Sequence, residues 1–346
     1  MITKEETMRL KGVAILMMLF LHLFNTLERT ELCTTFLNFW NGKPLVYAVS
    51  RAMGFCVPIY IFLSGYGLTV TYDRKEGHQL HTAKRLLSLY ANFWTVCLLF
   101  IPLACYLQPQ QYPGTALTLI GNLTGIHCTY NLEWWFLFPY VLLALCAPDL
   151  IGYISQLSGK KTFKVLVGVC LLSFAIQLLR KVVPNFTGRQ LIIWYFTLLF
   201  PFMTGIAFAR FKVFGQCRTY FSHRMKPQRK NLYLSLLILV VCLLRMTIGP
   251  SMYNPLFATL FLVLFVSTNR PKGLNLSLQF LGKHSTNMWL THTFFSWYLF
   301  ADFFYGLQYP LLMYVVLIAV SLCTSYFIQL LNRPLQERIK RLPFYA

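Results

Sequence analysis

Apolar runs of about 20 residues recur along this chain, each long enough to cross the hydrocarbon core of a bilayer as a helix. Ten such runs fall at 8–27, 46–72, 85–107, 133–154, 162–180, 190–210, 231–249, 252–269, 284–305 and 309–331. In lipid no water satisfies the peptide groups, so only helices and closed barrels can span. Segments of this length favour helices. Composition agrees: 57% of the residues are hydrophobic and 12% charged, against about 25% charged in an ordinary soluble domain. The expected fold is all-α, a polytopic membrane protein of about ten transmembrane helices in a single domain over residues 1–346.

The placement of positive charge sets the orientation. With both termini cytoplasmic, 24 of the 31 lysines and arginines fall in inside segments. Cytoplasmic loops carry an excess of these residues. The exceptions are Arg29, Lys43, Arg51, Arg180, Lys181, Arg189 and Arg245. Cations such as Arg74 and Lys75, just after Asp73, fit the inside assignment. A net charge of +21 would also suit a nucleic-acid binder, but here the charge sits between apolar runs as a topology signal. The expected partner is the lipid bilayer, with no nucleic acid. The segment 210–230, the longest inside loop, reads as an anchor at the anionic leaflet or as an attractor of an anionic substrate. The loop 108–132 holds no Lys or Arg, as an external loop would. It contains a weakly amphipathic stretch, Thr115–Ile126. The first run continues past His22 without a small-x-small cleavage site, so it is expected to remain as the first helix.

The ten cysteines form no Cys-x-x-Cys pair. Most lie in apolar runs as inert buried thiols. Cys33 and Cys128 share the expected external side, where a disulfide between them is open. No metal-ligand spacing appears.

Candidate chemistry begins in the first run, with Lys11 and His22. An ionisable side chain at membrane depth is a functional hypothesis by default. Eleven residues at about 100° each put both on one helix face, about 16 Å apart along the axis. Lys11 then marks the cytoplasmic mouth and His22 lies near mid-depth. His292 follows Lys283 by about 13 Å of helix, and Ser64 precedes Asp73 by a similar rise. Three polar groups thus reach one depth, with Lys11, Lys84 and Arg85 below them. Basic groups at the mouth can hold phosphates, and a neutral histidine above them can act as general base or accept a group covalently. An acyl-coenzyme A has the matching shape. Each residue also has a plainer reading. His22 and His292 can be satisfied interhelical hydrogen-bonders, and Ser64, Gly65 and Gly67 small residues for close packing. Trp134 and Trp135 can belong to an interfacial belt, and Lys84 and Arg85 can be topology charges.

Taken in order, Lys11-Gly-Val-Ala-Ile-Leu through Phe20-Leu-His22, Ile61-Phe-Leu-Ser-Gly-Tyr-Gly67, Lys84-Arg-Leu-Leu-Ser-Leu-Tyr90, Trp134-Trp-Phe-Leu137, Pro201-Phe-Met-Thr-Gly-Ile206 and Ser285-Thr-Asn-Met-Trp-Leu-Thr-His292 resemble the blocks of the acyltransferase-3 family of integral membrane acyltransferases. The resemblance covers essentially the whole chain. It implies acyl-CoA, often acetyl-CoA, as cytosolic donor and O-acylation of cell-surface carbohydrate at a bacterial inner membrane. His22 matches the family's essential histidine. Lys11 stands where the family has arginine, and after Arg85 the second arginine position is Ser88.

On this reading His22 deprotonates the acceptor hydroxyl or relays the acyl group, and both routes stay open. Lys11 and Arg85, with Lys84, bind the donor. Ser64, Trp134, Trp135 and His292 line the acceptor site. The acceptor is a carbohydrate or lipid-linked glycan, and a homodimer is left open. The reading from another class is a carrier or flippase that moves such a glycan without chemistry.

Overall fold

A computed structural model describes residues 1–39, 42–72, 78–180 and 188–342. Asp73, Arg74, Lys75 and Lys181 therefore lie outside the described residues. The elements in chain order are α1 (Lys4–Phe24), α2 (Leu27–Glu31), α3 (Leu45–Ala52), α4 (Cys56–Tyr72), α5 (His78–Leu107), α6 (Ala116–Thr124), α7 (Leu137–Leu145), α8 (Ala147–Ser155), α9 (Gly159–Leu179) and α10 (Arg189–Arg210). They continue with α11 (Val213–Arg224), α12 (Pro227–Thr247), α13 (Asn254–Ser267), α14 (Lys272–Thr293), α15 (Ala301–Gly306) and α16 (Pro310–Arg341). No named strand occurs among the described residues. Among the described residues, seven helical segments are long and apolar enough to cross a membrane, and the pair Leu132–Leu145 and Ala147–Ser155, bent by 53° at their junction, makes an eighth when taken as one span.

The two other expected spans are helical but differ from the reading of the sequence. The segment expected at 252–269 is a shorter apolar helix, Ser251–Ser267. The one expected at 284–305 begins twelve residues earlier, at Lys272, and breaks after Thr293 into a π-helical turn, Phe294–Tyr298, before α15. Helices α5 and α16 also run past their apolar cores into basic sequence. Charged residues are good helix formers, and Arg333 pairs with Glu337 one turn on at 3.4 Å, so hydropathy marks where lipid ends and not where the helix ends.

The chain divides into two compact units, each drawn from separate stretches. Unit 1 comprises Met1–Ala14, Gly54–His78 and Pro139–Phe280; unit 2 comprises Ile15–Met53, Gln79–Phe138 and Leu281–Ala346.

Unit 1 is organised around α4 and α10. A Cβ on Gly65 would meet the backbone carbonyl of Phe202, and one on Gly205 that of Phe62. These glycines let two backbones touch, as small residues do between helices in lipid. Phe62 packs edge-on against Phe208 and Phe214, at 5.0 and 5.8 Å between centroids. Arg245, 1% exposed, donates through Nε to Asn254 Oδ1 at 2.6 Å and also to Ile248 O, while Asn254 Nδ2 donates to Gly54 O. In contrast, only 11% of the apolar window of α9 is buried, leaving side chains such as Leu171 outward. Such a surface calls for lipid, not water.

Unit 2 packs Trp134 edge-on against Phe93 and Phe294, and Phe100 flat on Phe294. In the stretch the sequence marks as amphipathic, α6 is capped by Thr115, whose hydroxyl accepts from Thr118 N, and ends at Gly125. The +77° φ there is the left-handed conformation that favours glycine. Asn122 beneath it accepts from Tyr130 N and donates to Thr129. Cys33 and Cys128 are free thiols and not a disulfide. Burial pushes each up to about 11.

Candidate active site

His22 lies near the end of α1, where an apolar run meets the polar turn Asn25–Thr26. The backbone at this point is held in place. Thr26 accepts from Arg29 N and starts α2. The buried Arg29 guanidinium donates to the His22 carbonyl and to Asn25 Oδ1 and lies 4.1 Å over the Trp297 ring. Helix ends leave carbonyls unsatisfied, and here an arginine meets the one belonging to His22.

The His22 side chain makes two close polar contacts. Nδ1 is 2.7 Å from His292 Nε2, and Nε2 is 3.1 Å from Glu133 Oε2. His292 is fully buried, and its Nδ1 faces the carbonyls of Trp289 and Met288 at 2.9 and 3.1 Å. A carbonyl only accepts, so His292 Nδ1 carries hydrogen. When His292 is neutral, its Nε2 must accept, so His22 Nδ1 donates. A neutral His22 then presents a bare Nε2 to the Glu133 carboxylate. Two acceptors then face each other at 3.1 Å, so the row can take up one proton at His22 Nε2, with the carboxylate placed to stabilise the imidazolium that forms.

Glu133 and His292 are held together by paired indole contacts. Trp289 Nε1 donates to Glu133 O at 3.0 Å, and Trp134 Nε1 donates to Leu290 O at 3.1 Å. Asn131 Oδ1 accepts from Glu133 N and from Thr293 Oγ1, both at 3.0 Å. Tyr298, in the π-helical turn that follows His292, accepts from Leu132 N at 2.9 Å. Single π turns of this kind are frequent at functional sites.

The residues singled out in the sequence therefore separate. His22 and His292 meet directly. Trp134 has no exposed surface, which corrects its expected place as a sugar platform: with the ring enclosed by Phe93 and Phe294, it is a support for Glu133 and α14. Trp135 is half-buried, edge-on to Phe136. Ser64 belongs to unit 1, where it donates to Tyr140 Oη at 3.3 Å. Lys11 lies in α1, and its carbonyl accepts from Tyr60. Lys84 Nζ donates to Lys340 O at 3.2 Å at the end of α16.

Lys84 and Arg85 sit one turn before Ser88 on α5. Ser88, with Lys283, Asn287, Asn332, Gln336 and Lys340, lines a polar cleft of about 600 Å³ in unit 2. Asn287 is five residues from His292 along α14, a rise of about 7.5 Å. Among the described residues, no three or more His, Cys, Asp or Glu side chains form a metal site.

Glu133, Arg29, Asn131 and Trp289 complete the site and were not singled out by the sequence. Two of them carried a signal. Arg29 is among the seven cations that break the charge bias, and Glu133 is a carboxylate opening an apolar run.

Fold and site together define a multi-pass, all-helical membrane protein with a buried histidine–carboxylate group. The chain matches the acyltransferase domain of the acyltransferase-3 family over residues 9–330; it belongs to that family and is a membrane acyltransferase in the general sense. No curated protein and no solved structure matches it.

Proposed function

We propose that this protein is an O-acyltransferase that moves a short acyl group, acetyl in the simplest case, from cytosolic acyl-CoA to a hydroxyl of a cell-surface carbohydrate or lipid-linked glycan. Its place would be the inner membrane of a bacterium, with ten membrane segments and both termini cytoplasmic, as the charge bias argues. The observation that carries the reading is the row Glu133–His22–His292 within apolar sequence.

In this reading His22 Nε2 takes the proton of the acceptor hydroxyl as its oxygen attacks the thioester carbonyl. Glu133 stabilises the imidazolium, and His292 holds the ring through Nδ1. The C–S bond breaks as the new C–O bond is completed. The departing thiolate recovers the proton from Nε2, so ester and free CoA thiol form and His22 returns to neutral. Asn131 Nδ2 is a buried donor with no acceptor among the described residues. It would hold the carbonyl oxygen as negative charge builds there. Lys84 and Arg85 beside the unit 2 cleft, and Lys11 on α1, would bind donor phosphates, lysine as a point charge and arginine as a fork. Trp135 and Ser64 are assigned to the acceptor side.

The test is to supply radiolabelled acetyl-CoA to membranes with and without the protein and to follow label into surface glycan. Label that appears only with the protein supports transfer. Glycan that crosses the membrane unlabelled would overturn this reading in favour of a carrier.

A further inference from the structure

A second cleft, of about 430 Å³, lies wholly within unit 1, and its lining holds none of the residues of the histidine row. Residues from α1, α11, α12 and the segment after α13 line it, including Arg9, Arg218, Lys230 and Arg270. Against these four cations the described lining holds one carboxylate, Glu6. Glu6 is already engaged. It accepts from Arg9 at 3.0 Å and from Arg270.

Arg270 is the wall of this cleft. Its guanidinium also donates to Asn275 Oδ1, Thr268 O and Phe265 O. Burial lowers its basicity, Glu6 opposes this, and Arg9 and Arg218 push it down further. The guanidinium groups thus repel one another across a small volume. The remaining cations have capacity to spare. Arg9 Nε is buried with no partner among the described residues. Lys230 is 8% exposed and donates to Ser222 Oγ at 3.3 Å, while an ammonium has three protons to give. Arg218 Nε donates to Val266 O, leaving the end of its fork for a second acceptor. Like charges brought this close are relieved by an anion, and several converging N–H donors suit the oxygens of a phosphate.

We propose that this unit 1 cleft is a phosphate-binding site, in which Arg9, Arg218 and Lys230 grip a phosphate or diphosphate group while Glu6 and Arg270 hold the wall. The ligand class is a phosphate ester. Its two sources are the headgroup of an anionic lipid and a soluble nucleotide-like ester.

The test uses the full chain in nanodiscs of phosphatidylcholine, titrated calorimetrically with pyrophosphate and with uridine 5′-monophosphate, a nucleotide ester that is no part of the acyl-CoA donor. The expected result is saturable binding that weakens as salt rises. Arg218→Gln removes one grip. Ser222→Glu places a carboxylate beside Lys230 at an exposed position that the fold tolerates. Each is expected to weaken binding at least tenfold, with thermal unfolding unchanged for Ser222→Glu. Nanodiscs containing phosphatidylglycerol separate the sources: loss of pyrophosphate binding there marks lipid as the occupant, and retained binding marks the soluble ester. Absence of saturable binding, or a Ser222→Glu protein that binds as wild type, would overturn the proposal. Neither result bears on acyl transfer at His22.

Discussion

His22 is fixed at three points: its backbone carbonyl by Arg29, Nδ1 by His292 and Nε2 by Glu133. The carboxylate differs from the other two because it matters most once the imidazole is charged. Glu133→Gln keeps the shape and removes the charge. It should lower kcat about 100-fold, in the range expected of acid–base catalysis, and leave donor KM nearly unchanged. Steady-state kinetics with varied acyl-CoA measure this, and an undiminished kcat would remove Glu133 from the chemistry. Both histidines were legible in the sequence because an ionisable group in an apolar helix stands out. Their contact was not, since 270 residues separate them and helical spacing says nothing about neighbours so distant. Glu133 was hidden by its position at the edge of a span, where a carboxylate reads as ordinary loop polarity. Arg29 broke the charge rule, and its burial gives the reason: it serves the fold instead of marking a side of the membrane. Arg245, another exception, is likewise buried and hydrogen-bonded.

At the scale of elements, hydropathy located the apolar core of the long helices but not their ends or breaks, and it missed α11, which forms within the segment 210–230 read as a loop. The bend between α7 and α8 falls at Pro148 in the first turn of α8, a local helix-breaking signal, whereas Tyr298 of the π turn after His292 accepts from Leu132 N, 166 residues away, a contact that no local pattern encodes. The small residues near Ser64 show the opposite case. Close helix packing was one of their two readings, and Gly65 lies against the Phe202 carbonyl of α10. Gly65→Ala must push α4 and α10 apart, and overpacking of this kind costs about 1–3 kcal/mol. Thermal unfolding in detergent should show a lowered Tm, while the same change at Gly168, where an added Cβ meets nothing, should leave it unchanged. Equal Tm values for the two would contradict the close approach.

For the whole molecule, the apolar runs mark a membrane protein and the charge asymmetry between them predicts the direction of the chain. A fluorescent protein fused after Ala346 should fold and fluoresce, and a phosphatase inserted near Pro113 should be active. An active phosphatase at the C-terminus would reverse the orientation. Orientation matters to the proposed function, which requires Lys11, Lys84 and Arg85 each to face the cytosol, the source of the proposed donor. The central claim is that His22 moves the proton in transfer. The most direct measurement is the rate of label transfer from acetyl-CoA by His22→Ala against wild type, in membranes holding equal amounts of folded protein. The account predicts a loss of at least about 100-fold. Transfer by His22→Ala at the wild-type rate would contradict it.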